Sequence, residues 1–196
     1  QSRSSAASDV YKRQVPARGL AARGVSVEWL GSPRGIENRL VPAAGIELHR
    51  IDIAGLRGNG LAGWLAAPWR LARAVAQARR VIARFDPQLV VGLGGFASGP
   101  GGLAAWLMRR PLIVHEQNAV AGMTNQALSR LATRVYAAFP GAFRKAGESR
   151  REIVIGNPVR EEIAVLGERP RQADEMQARR LRLLVVGGSL GAVALN

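Results

Sequence analysis

The chain has 196 residues, 47% hydrophobic and 21% charged, enough for a sizeable core in one domain or one domain plus part of another. It has no cysteine and only two histidines, His49 and His115, which excludes disulfides and thiolate metal sites and argues against a histidine-built zinc site. With 28 Lys and Arg against 14 Asp and Glu, the net charge is +14. That balance favours anionic partners such as nucleic acid, acidic lipid or phosphorylated small molecules. The alternative is an arginine-rich composition spent on solvated faces.

No stretch approaches the roughly 18 consecutive apolar residues of a membrane span, and no secretory leader is visible. Residues 1–14 are polar, carry no apolar period and read as a non-native-looking tail. Leu20 to Arg23 look like a last helical turn stopped by Gly24. Val25 to Leu30 alternate as a strand, Glu37 to Val41 suit a short helix, and Ile46 to Ile51 suit a second strand. A glycine loop spans Gly55 to Gly60.

Leu61 to Arg84 form the longest predicted helix, with a bend expected at Pro68. Between Asp52 and Asp86 there is no acid, while Arg57, Arg70, Arg73, Arg79, Arg80 and Arg84 are all basic. Trp64, Leu65 and Trp69 stand beside Arg70 and Arg73. Tryptophan next to arginine on an amphipathic stretch suits a helix lying on an anionic membrane surface. The competing reading packs both tryptophans into the core and leaves the arginines solvated.

Leu89 to Val91 read as a buried strand. A loop poor in side chains follows, with Gly92, Gly94, Gly95, Ser98, Gly99, Pro100, Gly101 and Gly102. Leu103 to Met108 then read as a helix and Pro111 to His115 as a strand, which ends in the polar tetrad His115-Glu116-Gln117-Asn118. That tetrad falls where a parallel strand reaches the ligand-binding edge of an open sheet. Glu116 suits a general base or a hydrogen bond to a sugar hydroxyl; alternatively the tetrad caps the next helix, for which Asn118 is well suited.

Ala121 to Ala132 are predicted as a helix, and Val135 to Phe139 and Glu152 to Ile155 as strands. Gly156-Asn157-Pro158 break regular structure and mark a candidate domain boundary, and Val159 to Leu166 can resume as a short helix. Arg160 either reaches a phosphate in an interdomain cleft or is an ordinary surface arginine. Leu181 to Val186 form a strand running into Gly187-Gly188-Ser189-Leu190-Gly191 and a helix start. A loop without side chains lets backbone N–H groups approach a phosphate, and Ser189 adds a donor. One such loop is as well explained by a tight turn, but two favour a diphosphate-bearing ligand. Neither has the Lys of a Walker motif or the spacing of a hydride-transfer dinucleotide fingerprint. Strands alternating with helices predict an α/β fold with a doubly wound parallel sheet. The sequence reads as truncated at both ends.

Six motifs together resemble the MurG family of peptidoglycan glycosyltransferases. They are Ile53 to Gly58, Gly94 to Pro100, His115 to Asn118, Ala138 to Phe143, Gly156 to Arg160 and Gly187 to Ala192, in matching order over roughly residues 15 to 196. The resemblance implies a GT-B architecture. Its N-terminal acceptor-side domain would span 15–157, and a linker with the start of a donor-binding domain would span 158–196.

It further implies inverting transfer of N-acetylglucosamine from UDP-N-acetylglucosamine to lipid I, the undecaprenyl-diphosphate-linked muramyl pentapeptide, giving lipid II. No metal or cofactor is expected. By motif, Asn118, Arg160 and Ser189 fall where the family contacts the donor. The loop with Gly94, Gly95, Ser98 and Gly99 falls where it receives the acceptor diphosphate. Trp64, Leu65, Trp69, Arg70 and Arg73 fall in a patch resting on the anionic inner face of the bacterial inner membrane, and cell-wall synthesis and division proteins are further expected partners. The family's opening GGTGGH loop, whose histidine is its proposed base, is absent, with Val15-Pro16 as a possible remnant. The catalytic base is therefore unassigned, Glu116 being a weak candidate, and residues 1–196 alone are expected to be inactive. Rival readings are a GT-B transferase with another acceptor, a basic nucleic-acid-binding domain, and a non-catalytic membrane-surface scaffold. The arginines form no recognised nucleic-acid motif and no aromatic stacking platform accompanies them, so no nucleic-acid partner is expected.

Overall fold

A computed structural model describes residues 3–53, 66–143, 152–159 and 163–165, with side chains from residue 10. The elements run α1 (Arg3–Ala21), β1 (Glu28–Gly31), α2 (Glu37–Ala43), β2 (Glu47–Arg50), α3 (Ala67–Phe85), β3 (Val90–Gly92), α4 (Ser98–Leu107), β4 (Leu112–Glu116), α5 (Met123–Ser129), β5 (Arg134–Ala137) and β6 (Glu152–Val154). Every bonded strand pair is parallel. β1 pairs with β2, and a second sheet has the order β3-β4-β5-β6. Parallel neighbours need long crossovers, and α4 and α5 supply those of β3-β4 and β4-β5. The predicted α/β class with a parallel sheet is thus observed. Among the described residues, the far edges of β1 and β3 carry no strand partner.

The packing follows from side-chain size. α3 turns Ala74, Val75, Ala78 and Ile82 inward against Ala104 and Ala105 of α4, and the small residues let the two helices approach closely. Its arginines at 70, 73, 79, 80 and 84 are all exposed. Leu30 of β1 and Val90 of β3 pack against this same cluster. Beside it, Leu112 and Val114 of β4 join Val135, Ala137, Leu128 and Phe143. Burying Leu112 and Val114 contributes about 2 kcal/mol each, which fixes β4 at the centre of its sheet and its polar end at the rim.

Three local expectations change. The sequence predicts a polar tail over residues 1–14, but α1 runs unbroken across residue 14. Its buried positions Val10, Gln14 and Ala17 have helical spacing. The middle position is polar, which hides the stripe, and Gln14 satisfies its amide by donating from Nε2 to the Leu40 carbonyl at 2.7 Å. Pro68 does not bend α3, because the helix begins at Ala67 and proline in a first turn removes no intrahelical bond. The helix stops where Asp86 adopts a left-handed φ of 52° before Pro87.

The glycine-rich stretch is not one loop either. Ser98 to Gly102 form the first turns of α4, and a Cβ on Gly102 would come within 2.7 Å of Leu128. Gly102 is there for close packing against α5. The predicted loop at Gly55 to Gly60 and the strand and glycine turn from Leu181 to Gly191 lie outside the described residues. Of the predicted helix Val159 to Leu166, Val159 is irregular and residues 163–165 are helical; the others lie outside the described residues.

Candidate active site

β4 carries its apolar core residues straight into a buried polar end. His115, Glu116 and Gln117 are all buried, whereas Asn118 is exposed. A buried carboxylate is costly unless its oxygens are hydrogen-bonded. Glu116 Oε1 accepts from the Asn118 backbone N–H and from Asn118 Nδ2, each at 2.9 Å. Glu116 Oε2 accepts from the Gly122 N–H at 3.2 Å and from Asn125 Nδ2 at 2.8 Å. Four donors and no cation hold this carboxylate, and the loop from Gln117 to Gly122 folds around it. Its acceptor capacity is committed to organising the loop, an arrangement suited to positioning Asn118.

His115 reaches the other side of the same rim. Its Nε2 lies 3.0 Å from the Gly156 carbonyl oxygen, which can only accept, so Nε2 carries the hydrogen. Asn157 Nδ2 in turn donates to the Gln117 carbonyl at 3.1 Å. These two bonds fasten the Gly156-Asn157 break to the end of β4. Among the described residues, four buried polar atoms here have no hydrogen-bond partner: His115 Nδ1, Gln117 Nε2, Asn125 Oδ1 and Asn157 Oδ1. Unpaired buried polar atoms are rare in native proteins, and four at one sheet edge mark the candidate site.

The glycine turn after β3 adjoins this rim. Gly94 and Gly95 have φ of 80° and 87°, a region that side chains seldom adopt. Ser98 Oγ donates to the Gly94 carbonyl at 2.7 Å and closes the turn onto the start of α4. The opening amides of α4, at Ser98 and Gly99, have no intrahelical acceptor and carry the positive end of the helix; Pro100 contributes no N–H. Of the residues predicted to receive a diphosphate, Gly94 and Gly95 form the turn, and Ser98 and Gly99 the first helical turn.

A cleft of about 2310 Å³ links this turn to the start of α3, with Trp69, Arg70, Arg73, Gly94, Gly95 and Ser98 among its lining residues. Trp69 is 77% exposed, which rules out the core reading for this tryptophan. Arg70 is exposed, and Arg73 pairs with Asp52 at 3.0 Å. Trp64, Leu65, Arg160 and Ser189 lie outside the described residues. Two contributors are not among the predicted site residues: Asn125 and Asn157. Asn125 carries little signal in sequence, because its helix also holds Thr124, Gln126 and Ser129.

A second polar cluster sits on the two-stranded sheet. His49 Nε2 lies 2.7 Å from Glu28 Oε2 and 3.4 Å from Glu47 Oε1, and Arg84 approaches Nδ1 at 3.1 Å. The three acid and imidazole atoms are close enough together to hold a cation. Arginine only donates, so Nδ1 is the acceptor and Nε2 carries the hydrogen, pointing at the carboxylates. That tautomer closes the ring nitrogen a metal would need, and Arg84 already supplies the positive charge.

Comparison with known proteins identifies the family. The glycosyltransferase family 28 N-terminal domain matches residues 15–137. The UDP-N-acetylglucosamine--N-acetylmuramyl-(pentapeptide) pyrophosphoryl-undecaprenol N-acetylglucosamine transferase of Chromohalobacter salexigens is 79% identical over 180 residues, 92% of this chain and 48% of that protein. The protein of the same name from Azotobacter vinelandii is 55% identical, over 95% of this chain and 51% of its own length. The crystal structure of Acinetobacter baumannii MurG superposes with a TM-score of 0.75 at 40% identity, over 95% of this chain and 51% of that one. The chain thus spans about half the length of the curated relatives it matches. The motif resemblance, the parallel α/β fold and the matched domain converge: this chain belongs to glycosyltransferase family 28.

Proposed function

We propose that the chain forms the acceptor-side half of an inverting hexosyltransferase that moves N-acetylglucosamine from UDP-N-acetylglucosamine to lipid I, making lipid II for peptidoglycan. The observation that carries this reading is the meeting, at one sheet edge, of the Gly94-Gly95 turn with the Glu116-organised loop, both beside the cleft bearing Trp69 and its arginines. The muramyl 4-hydroxyl attacks the anomeric carbon of the donor sugar. A new carbon–oxygen bond forms as the bond to the UDP oxygen breaks, inverting that carbon. Backbone amides and helix N-termini stabilise the departing diphosphate without a metal.

In this reading the Gly94, Gly95, Ser98 and Gly99 turn takes the acceptor diphosphate, and Asn118, Arg160 and Ser189 contact the donor. Glu116 holds Asn118 in place, and the base lies elsewhere in the complete enzyme. Residues 15–157 form the acceptor-side domain, and 158–196 the linker and start of the donor-side domain. Trp64, Leu65, Trp69, Arg70 and Arg73 rest peripherally on the anionic cytoplasmic face of the inner membrane, where cell-wall synthesis and division proteins are its neighbours. No helix among the described residues is long and apolar enough to cross a membrane.

The test is a hybrid joining residues 15–196 to the remaining half of the Chromohalobacter salexigens relative. It is expected to transfer radiolabelled N-acetylglucosamine to a lipid I analogue, whereas residues 1–196 alone are not. A folded hybrid that hydrolyses or transfers nothing to lipid I, or that prefers another polyprenyl diphosphate, sinks the proposal.

A further inference from the structure

Asn125 belongs to neither of the two loops that form the candidate site, yet it is hydrogen-bonded to one and stands beside the other. It stands on the inward face of α5 and is only 2% exposed. Its Nδ2 donates to Glu116 Oε2 at 2.8 Å and to the His115 carbonyl at 3.3 Å, which spends both amide hydrogens on the loop after β4. Both partners only accept, so the amide cannot be turned around, and Oδ1 is forced to the opposite side. There it is buried without a partner. That amide also lies against the glycine turn: a Cβ on Gly94 would stand 3.4 Å from Nδ2 and 3.7 Å from Oδ1. Gly94 is gripped from its other side by the Ser98 hydroxyl on its carbonyl.

We propose that Asn125 is a positioning residue that locks the glycine turn after β3 and the polar loop after β4 into one register. The two loops come from different strands and share no hydrogen bond among the described residues except through what packs between them. Glu116 sets the shape of its loop, Asn125 reads the position of that carboxylate, and the rigid amide bounds where Gly94 can lie. A shift of the carboxylate is thereby passed to the turn. The proposal rests on the transferase reading for its consequence, namely that the acceptor and donor edges are held at a fixed separation. The coupling itself does not depend on that reading.

The reciprocal chemistry supplies the test. Asn125→Asp keeps the shape but faces Glu116 with a second acceptor. Adding Glu116→Gln returns a donor to the pair, now from the other side. Hydrogen–deuterium exchange on the full chain reads the result at residues 93–97, with α3 and β5 as controls for folding. Asn125→Asp is expected to speed exchange there by about tenfold or more, and the double variant to recover only part of that loss, because the His115 carbonyl and the Gly122 N–H still lack their partners. Unchanged exchange at 93–97 in the single variant, or no rescue in the double, overturns the coupling. Asn125→Ala, which removes the donors without adding charge, is expected to act in the same place. If both single variants lose protection in the controls as well, Asn125 is merely a core residue and the proposal fails.

In the active hybrid, Asn125→Ala is expected to raise the acceptor KM by about tenfold, while leaving the donor KM within about threefold. Equal effects on both substrates overturn the positioning role. A hybrid inactive without any substitution overturns the transferase reading instead, and the exchange experiment still decides the coupling.

Discussion

Two clusters in this molecule pair a histidine with a glutamate, and they end differently. Around His49, every ring nitrogen has a partner: a carboxylate on one side, an arginine on the other. Positive and negative groups alternate, and no buried side-chain atom there is without a hydrogen bond. Around His115, among the described residues, the carboxylate meets amides and no cation, and four buried polar atoms have no hydrogen-bond partner. The first cluster is self-sufficient and sits where β1 and β2 pair. The second is incomplete and sits at the strand ends where α/β folds bind ligands. Composition does not separate them, since both contain His and Glu. Closure of the hydrogen-bond network does.

The contrast is sharpest at Glu116. Replacing it by Gln is expected to destabilise the chain by about 3 kcal/mol, because an amide now faces donors that had a carboxylate. Urea unfolding followed by circular dichroism would measure this, and a loss under 1 kcal/mol would show that water substitutes for the carboxylate. A smaller loss, about 1 kcal/mol, is expected for Asn157→Ala, which removes one hydrogen bond to the Gln117 carbonyl. It also has a local mark: proteolysis after Gly156 should quicken. The smallest effect, about 0.5 kcal/mol, is expected for His49→Gln, whose carboxylate partners reach solvent and whose ring hydrogen bonds are therefore worth little. A cost at His49 matching that at Glu116 would remove the distinction between a closed and an open cluster.

Much of the fold was legible from the chain, for reasons particular residues make plain. Leu112 and Val114, followed at once by His115 and Glu116, announce a buried strand with a polar end, and the structure puts that end at the rim. The alternation of α3 is equally plain, with Ala74, Val75, Ala78 and Ile82 inside and arginines outside. What was not legible depends on which neighbour a residue meets. Gly94 and Gly102 look alike in sequence. One is required by a left-handed turn and the other by the Leu128 side chain. Asn125 reads as an ordinary helical polar residue until Glu116 is placed beside it. Helix α1 escaped notice because Gln14 interrupts its narrow buried stripe and pairs with a carbonyl 26 residues away.

Among the described residues the edges of β1 and β3 carry no strand partner, which bears on how this polypeptide behaves in solution. Leu89 and Val91, beside and within β3, are 42% and 44% exposed, and an unpaired strand edge is a template for a strand from another molecule. At +14, copies of the chain repel one another, and that repulsion guards the edges at low ionic strength. Salt shortens the reach of charge to about 10 Å at 0.1 M. Colloidal stability should therefore fall as salt rises, so dilute buffer suits storage of this polypeptide.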